Sequence, residues 1–164
     1  MKLSLKNGFT LIELMIVIAI IAIIAAIAIP NLIEARKSGN ESAAIGALKT
    51  ISTSQSMYRE QDKDQDGTLD YATLIADMST YNVIDPVLGA GTKQGYIFTV
   101  GIPTGGNEQF VWTADANPVI AGTTGDRRFG TNQTGTIYYS ATAAIVFEAN
   151  TGQVLPANGK ALGQ

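Results

Sequence analysis

The chain has 164 residues, a length that suits one compact domain together with an anchoring segment. It contains neither cysteine nor histidine, which excludes a Ser-His-Asp or Cys-His catalytic group, a thiolate or imidazole zinc site and a disulfide framework. The formal net charge is −3 and no basic patch stands out, so the sequence predicts no nucleic-acid partner.

The first predicted element is an apolar helix near the N-terminus. Residues 9–29 contain two polar side chains, Thr10 and Glu13, and follow a short segment that carries Lys2 and Lys6. A helix of this length spans about 30 Å, which matches the apolar core of a bilayer. An ordinary signal peptide has a shorter apolar core and a cleavage site of small residues, whereas the small residues here lie inside the run. The pattern therefore predicts a membrane-inserted segment.

Glu13 is the informative residue of this segment. A carboxylate at the centre of a membrane-spanning helix costs about 2.5–3.5 kcal/mol on insertion scales, so such a residue persists through pairing or through function. No cationic side chain lies within one helical turn of Glu13 on its own helix face. Cleavage between Gly8 and Phe9 would create an α-amine four residues before Glu13, one helical turn away from its carboxylate.

The sequence GFTLIE at residues 8–13, followed by a run of Leu, Met, Ile, Val and Ala, resembles the class III signal of bacterial type IV pilins and type II secretion pseudopilins. The resemblance implies that a prepilin peptidase cleaves after Gly8 and that the amine of Phe9 is then methylated. It also implies that Glu13 neutralises the N-terminal amine of a neighbouring subunit during assembly. Pro30 falls where this family has a proline that kinks the helix.

The resemblance also implies how such a subunit is exported. The precursor would reside in the bacterial inner membrane, and a cytoplasmic assembly ATPase with a membrane platform protein would add it to a helical homopolymer at the cell surface or across the periplasm. Two uses are open. One is a type IV pilus for adhesion, motility or DNA uptake, and the other is the short pseudopilus that a major pseudopilin builds for type II protein secretion. In both, the chain is structural and not an enzyme.

Three other interpretations of the N-terminal segment are open. A plain membrane anchor would leave the Gly8–Phe9 pair and Glu13 without an explanation. An intramembrane catalytic acid would need a second ionisable partner, which the run lacks. A calcium-binding adhesin, anchored singly and never polymerised, predicts a monomer in detergent and no effect of Glu13→Ala on export or filament number.

A second helical stretch is predicted over residues 32–61. Its apolar face, which Gln55 interrupts, consists of Ala44, Leu48, Ile51 and Tyr58. A proline inside a helix removes one backbone hydrogen bond, so Pro30 predicts a kink in one long helix. The predicted segments are a leader (1–8), a membrane or filament-core helix (9–30), a head-packing helix (31–61) and a globular head (62–164).

An aspartate-rich loop follows the helix. Residues 62–70 read DKDQDGTLD, which resembles the first nine positions of an EF-hand calcium loop, where alternate oxygens point inward and the glycine allows a sharp turn. The twelfth position is Thr73 and not the bidentate Glu of that motif, so Asp77 or the head would have to supply further oxygens. A solvated acidic turn that ends the helix is the alternative. The candidate ligands of a structural Ca²⁺ are Asp62, Asp64, Asp66, Thr68 and Asp70.

The remaining sequence predicts a small antiparallel sheet. A short helix is expected over about residues 71–78, and turn residues then separate strands predicted at 95–102, 109–114, 127–131 and 135–140. Residues 144–147 are a candidate edge strand, and the last dozen residues are expected to form a mobile tail. The aromatic residues expected to supply the core and the rim of the head are Tyr96, Phe98, Phe110, Trp112, Tyr138 and Tyr139. The predicted fold class is α+β, with a long kinked helix packed on a pilin-like head.

Overall fold

The computed structural model describes residues 8–103, 105, 107–155 and 159–162. The first seven residues of the predicted leader therefore lie outside the described residues. The chain divides into two compact units, Met1–Arg36 and Lys37–Gln164. In fold class the chain is α+β, as predicted, with one long N-terminal helix and an antiparallel sheet.

The long helix α1 runs over Leu11–Glu60 and includes Pro30. Its first part, within Met1–Arg36, is rich in Ile, Ala and Leu, and nearly all of the side chains there are exposed. By length and composition, α1 is the one helix among the described residues that could cross a membrane. The kink expected at Pro30 stays a prediction.

Within Lys37–Gln164, α1 buries one face. The predicted apolar positions are all buried, and the buried face also contains Gln55. The amide of Gln55 is satisfied at both ends, because its Nε2 donates to the carbonyl oxygen of Ala72 and its Oε1 accepts from the Ala72 amide, each at 2.9 Å. A polar residue can thus occupy the face without leaving a buried group unpaired.

Two short helices follow the aspartate-rich loop. Helix α2 covers Ile75–Thr80, so the predicted helix begins four residues later than expected and ends two residues later. Helix α3 covers Pro86–Gly89. Its start is set by Asp85, whose carboxylate accepts a hydrogen bond from the Leu88 amide, and by Pro86, which needs no backbone donor in the first turn.

The strands form one antiparallel meander in chain order. The predictions for 95–102, 127–131 and 135–140 are confirmed as β2, β4 and β5. The prediction for 109–114 is wrong, because the second long strand begins at Thr113 and residues 108–110 form a turn. The strands are β1 Thr92–Lys93, β2 Tyr96–Gly101, β3 Thr113–Pro118, β4 Arg128–Asn132, β5 Ile137–Ser140 and β6 Lys160–Ala161.

One face of the sheet joins the buried face of α1 in a single apolar core. In β2, side chains alternate between buried and exposed, and Phe98 lies opposite Ala116, which in turn lies opposite Phe129. Small alanines in β3 leave room for the larger side chains around them. Of the aromatic residues expected in the core and rim, Tyr96, Phe98 and Trp112 are buried. Phe110 is exposed, and Tyr138 and Tyr139 are half-buried.

The opposite face of the sheet is covered by the segment that follows β5. A side chain at Gly130 would collide with Ile145 and Phe147, so these two residues lie directly over β4. Residues 144–147 therefore do not form the predicted edge strand, although Phe147 makes an isolated bridge to Val154. The edge strand beside β5 is β6, within the predicted tail. The tail prediction fails there because Lys160 pairs with Tyr139 in the sheet.

Candidate functional site

The N-terminal signal residues form a capping arrangement at the start of α1. The Glu13 amide donates to Thr10 Oγ1 at 3.3 Å, while the Thr10 amide and hydroxyl both donate to Glu13 Oε2, at 2.9 and 2.7 Å. This is the reciprocal pattern of a capping box, in which side chains satisfy backbone amides that the helix leaves free. The pattern T-x-x-E before an apolar run is the sequence signal of a capping box, and it could have predicted this contact.

The capping box places the Glu13 carboxylate beside the predicted cleavage point. Gly8 and Phe9 precede the helix without regular secondary structure. Nothing lies within 4 Å of Gly8 where a side chain would start, and Phe9 is 88% exposed. The amide that Glu13 accepts from belongs to Thr10, one residue after Phe9. An amine created at Phe9 would therefore arise one residue away from a carboxylate already held at the helix start.

The first unit presents a continuous apolar surface. From Phe9 to Ile33, the large hydrophobic side chains are between 43% and 88% exposed. At about 25 cal/mol per Å² of apolar surface, such a segment is strongly driven to find an apolar environment. The exposed apolar helix fits a membrane-anchored precursor.

The aspartate-rich loop brings three of the predicted ligands together. One carboxylate oxygen from each of Asp62, Asp64 and Asp66 lies within 4.8 Å of the other two. Gly67, at a positive φ of 85°, makes the turn and donates its amide to Asp62 Oδ2 at 3.2 Å. Thr68 donates its amide to Asp66 Oδ1 at 2.7 Å.

Asp70 approaches the same place from the far end of the loop. It is 9% exposed and lines a cavity of about 220 Å³ together with Asp64, Asp66 and Glu108. Burial raises the pKa of the Asp70 carboxyl, and the neighbouring carboxylates of Asp64, Asp66, Glu108 and Asp62 raise it further. Thr68 is not among the residues that line this cavity.

Neighbouring segments fasten the loop. Besides the bonds between Gln55 and Ala72, the Tyr58 hydroxyl donates to Asp64 Oδ2 at 3.2 Å, and burial together with the Asp64 charge raises the pKa of Tyr58. The Tyr71 amide donates to the Glu108 carbonyl at 2.8 Å. Sequence reasoning missed Tyr58 and Glu108 as neighbours of the loop. The Tyr58 contact depends on how the chain turns after α1, and the Glu108 contact depends on the folded head.

A second polar cluster lies on α1 at the start of its buried face. Glu41 is 6% exposed, and its Oε1 accepts from the backbone amides of Asp126 and Arg127 at 2.9 and 3.0 Å. Its Oε2 accepts from Arg127 Nε at 2.8 Å. The Arg127 guanidinium also lies over the rings of Phe129 and Tyr139. These contacts hold the loop between β3 and β4 on the helix.

The N-terminal signal has counterparts in known proteins. A family model described as the prokaryotic N-terminal methylation motif matches residues 3–29. This match covers the N-terminal motif and not the rest of the chain. The matched segment contains Gly8, Phe9 and Glu13, the residues singled out from the sequence.

Three relatives show what this chain is similar to. It is 53% identical over 53 residues to the type IV wide pilus major component of Thermus thermophilus, and 50% identical over 62 residues to the type IV major pilin protein of Myxococcus xanthus. These matches cover 32% and 37% of this chain, and 40% and 28% of the relatives. It is also 25% identical over 103 residues to the type II secretion system core protein G of Escherichia coli, covering 63% of this chain and 69% of that protein. No solved structure matches the chain.

Proposed function

We propose that the chain is a structural subunit of a type IV pilus-like extracytoplasmic filament, assembled through its N-terminal helix after cleavage by a prepilin peptidase. The observation that carries the proposal is the position of Glu13, an acid within an exposed apolar helix whose carboxylate is held one residue from the predicted new N-terminus. The named relatives, two pilins and a secretion core protein, support the same class of protein.

The proposed chemistry of assembly rests on the family resemblance together with this position of Glu13. Cleavage between Gly8 and Phe9 leaves a cationic amine, which methylation keeps cationic. The Glu13 carboxylate of a neighbouring subunit neutralises it, so both charges leave the membrane as a pair at lower cost than as separate ions. The apolar side chains from Phe9 to Ile33 then lose contact with lipid and pack against copies of the same helix. An assembly ATPase and a membrane platform protein supply the energy and the docking point.

Mass spectrometry of surface-sheared protein tests the proposal directly. We expect the recovered chain to begin at Phe9 and to carry one additional methyl group on its amine. A surface protein that still begins at Met1 contradicts the proposed processing.

Glu13→Gln separates the charge of the residue from its capping role. Glutamine keeps an acceptor for the Thr10 amide, so the start of α1 should be preserved while the charge is lost. We expect membrane insertion and cleavage as in the wild type, with at least a roughly tenfold loss of sheared filament protein. Glu60→Gln makes the same chemical change at an exposed acid and is the matched control, with normal filament yield.

A normal filament yield from Glu13→Gln would contradict the proposed pairing of the Glu13 carboxylate with the Phe9 amine. Normal export of a detergent monomer in both the wild type and the variant would instead favour a singly anchored adhesin.

A major pseudopilin of a type II secretion system is the second candidate. The match to the Escherichia coli core protein G extends over 103 residues, well beyond the length of the N-terminal motif. Deleting the gene for this chain distinguishes the two uses. A pilin predicts loss of long sheared filaments with normal secretion of folded exoproteins, and a pseudopilin predicts loss of secretion.

A further inference from the structure

The loop between β3 and β4 ends in a hydrogen-bonded tip that exposes two adjacent apolar side chains. Val119 is 46% exposed and Ile120 is 56% exposed. The Thr123 and Thr124 amides both donate to the Ile120 carbonyl, at 3.1 and 2.9 Å, so the tip forms a tight turn. Residues 117–125 contain no charged side chain. Two exposed apolar residues are by themselves an ordinary surface feature, and their position in the molecule is what gives them a partner.

The loop is fastened to α1 where the head begins. Lys37 Nζ lies 3.3 Å from Asp126 Oδ2, and Asn40 Nδ2 donates to the Thr124 carbonyl at 2.8 Å. The Thr124 hydroxyl in turn accepts from the Ile120 amide at 3.2 Å, which connects the tip to the part of the loop that Asn40 holds. The exposed pair is therefore fixed beside the first turn of α1 within Lys37–Gln164.

This turn of α1 follows directly on the exposed apolar segment, which runs from Phe9 to Ile33. Ile33 is four residues before Lys37 in the chain. Four residues span at most about 14 Å even when they are fully extended, so the turn that holds the loop lies within that reach of the end of the apolar segment. A bilayer that contains the apolar segment therefore has its surface close to the loop.

We propose that the loop between β3 and β4 docks on the bilayer surface while the chain is inserted in the membrane, with Val119 and Ile120 entering the lipid. This inference rests on the proposed membrane-anchored precursor. Apolar groups at such an interface enter about 5–10 Å into the boundary between headgroups and acyl chains. The contact limits how far the head tilts on its anchor before the chain is assembled.

The charges that hold the loop are compatible with a lipid surface. The Glu41 carboxylate is paired with Arg127 at 2.8 Å, and the Asp126 carboxylate is paired with Lys37 at 3.3 Å. Neither acid thus presents an unbalanced negative charge to anionic headgroups, which would repel it. The uncharged tip then meets the lipid first.

Leu74 is the matched comparison for Ile120, because it is an apolar residue of nearly equal exposure, 58%, in another part of the head. It lies two residues after Ala72, which is hydrogen-bonded to Gln55 of α1. Gln55 is 18 residues after Lys37, which places it about 27 Å farther along the helix. The proposal therefore predicts lipid contact for Ile120 and none for Leu74.

The absence of cysteine allows single-cysteine labelling of the full chain. A polarity-sensitive dye is attached to Ile120→Cys, to Leu74→Cys or to Ile20→Cys in the apolar segment. Each protein is placed, at one copy per disc, in a bilayer of phosphatidylcholine and phosphatidylglycerol that carries nitroxide quenchers at a shallow or a deep position. We expect a blue-shifted dye at position 120 that the shallow nitroxide quenches most, a dye at position 20 that the deep nitroxide quenches most, and an unshifted, unquenched dye at position 74.

The dye at position 20 separates the docking from the anchor. Quenching at position 20 without quenching at position 120 would overturn the docking and leave the membrane-anchored precursor intact, whereas no quenching at either position would contradict both. Equal quenching at positions 74 and 120 would mean that the dye itself enters the lipid, and it would also overturn the docking. A blue shift at position 120 that requires several copies per disc would assign the loop to a second copy of the chain in place of lipid.

Discussion

From Phe9 to Ile33 the chain leaves its large apolar side chains exposed, whereas between Ala44 and Tyr58 of the same helix the apolar face is buried. Both parts contain apolar residues such as Ile, Leu and Ala, but only those of the second part contact the head. The exposed apolar side chains of the first part can be buried only by lipid or by another chain. The family model matches residues 3–29, which include most of this part. The second part depends on contacts supplied by its own head. The segment that matches the family model is thus the one whose apolar side chains remain exposed in the single chain.

Replacing isoleucine by alanine in each part tests this contrast most strongly. Ile51 is fully buried, so Ile51→Ala should lower the free energy of unfolding of the head by about 2–5 kcal/mol. Ile16 is 55% exposed, and Ile16→Ala should leave that quantity unchanged. Urea unfolding in detergent, followed by the fluorescence of Trp112, reports on the head alone, because Trp112 is the single tryptophan and is buried there. Equal losses in the two variants would contradict the contrast.

Glu41→Gln tests the polar contacts that the head makes to α1. Burial raises the pKa of Glu41, but hydrogen bonds from the Asp126 and Arg127 amides and the Arg127 guanidinium outweigh it, so the pKa lies below its ordinary value of 4.5. A lowered pKa means that the carboxylate stabilises the fold above pH 4.5 and that this contribution is lost as the pH falls. We expect the variant to be about 1–3 kcal/mol less stable at pH 7, a gap that closes on acidification.

The measurement for Glu41→Gln is urea unfolding between pH 3 and pH 7, with Glu60→Gln as the control for removal of an acid. If the difference in free energy of unfolding between the wild type and Glu41→Gln stays the same at low pH, the negative charge of Glu41 does not account for it.

Asp115→Asn should show the opposite dependence on pH and the smallest effect. Asp115 lies half-buried in β3 between Thr99 and Gly130, and burial raises the pKa of its carboxyl to about 7. Because its folded pKa is raised, ionisation destabilises the fold as the pH rises from about 4 to about 7. This pKa difference represents roughly 4 kcal/mol for a fully buried group. Because Asp115 is only half-buried, water screens its charge, and the variant should be more stable than the wild type by about 1 kcal/mol at pH 8 and similar to it near pH 4. Parallel stability curves for the two proteins across this range would contradict the assigned burial effect.

The long helix and the signal were predictable because local patterns specify them. The apolar run defines α1, and the spacing of Leu48, Ile51 and Tyr58 defines its buried face. The T-x-x-E pattern could also have predicted the capping box at Thr10 and Glu13. The position of the aspartate loop followed from its spacing, whereas the approach of Glu108 depends on the chain folding back over many residues.

The strand β3 was misplaced because its composition argues against it. Residues 109–114 are rich in aromatic and β-branched side chains, which favour strands, while Thr113–Pro118 contains Ala, Asp and Asn, which do not. Its place between β2 and β4 is decided by packing, since the small side chains of Ala114 and Ala116 fit in the core. Strand β6 was missed for a related reason, because a two-residue edge strand has no local signal.

The cover over Gly130 has a consequence for the order of events during synthesis. Ile145, Phe147 and the strand Lys160–Ala161 come after every other described element in the chain. The helical side of the head can be completed while these residues are still being made, but the back of the sheet stays open until they emerge. A chain interrupted before residue 145 would present the bare strand around Gly130 to its surroundings.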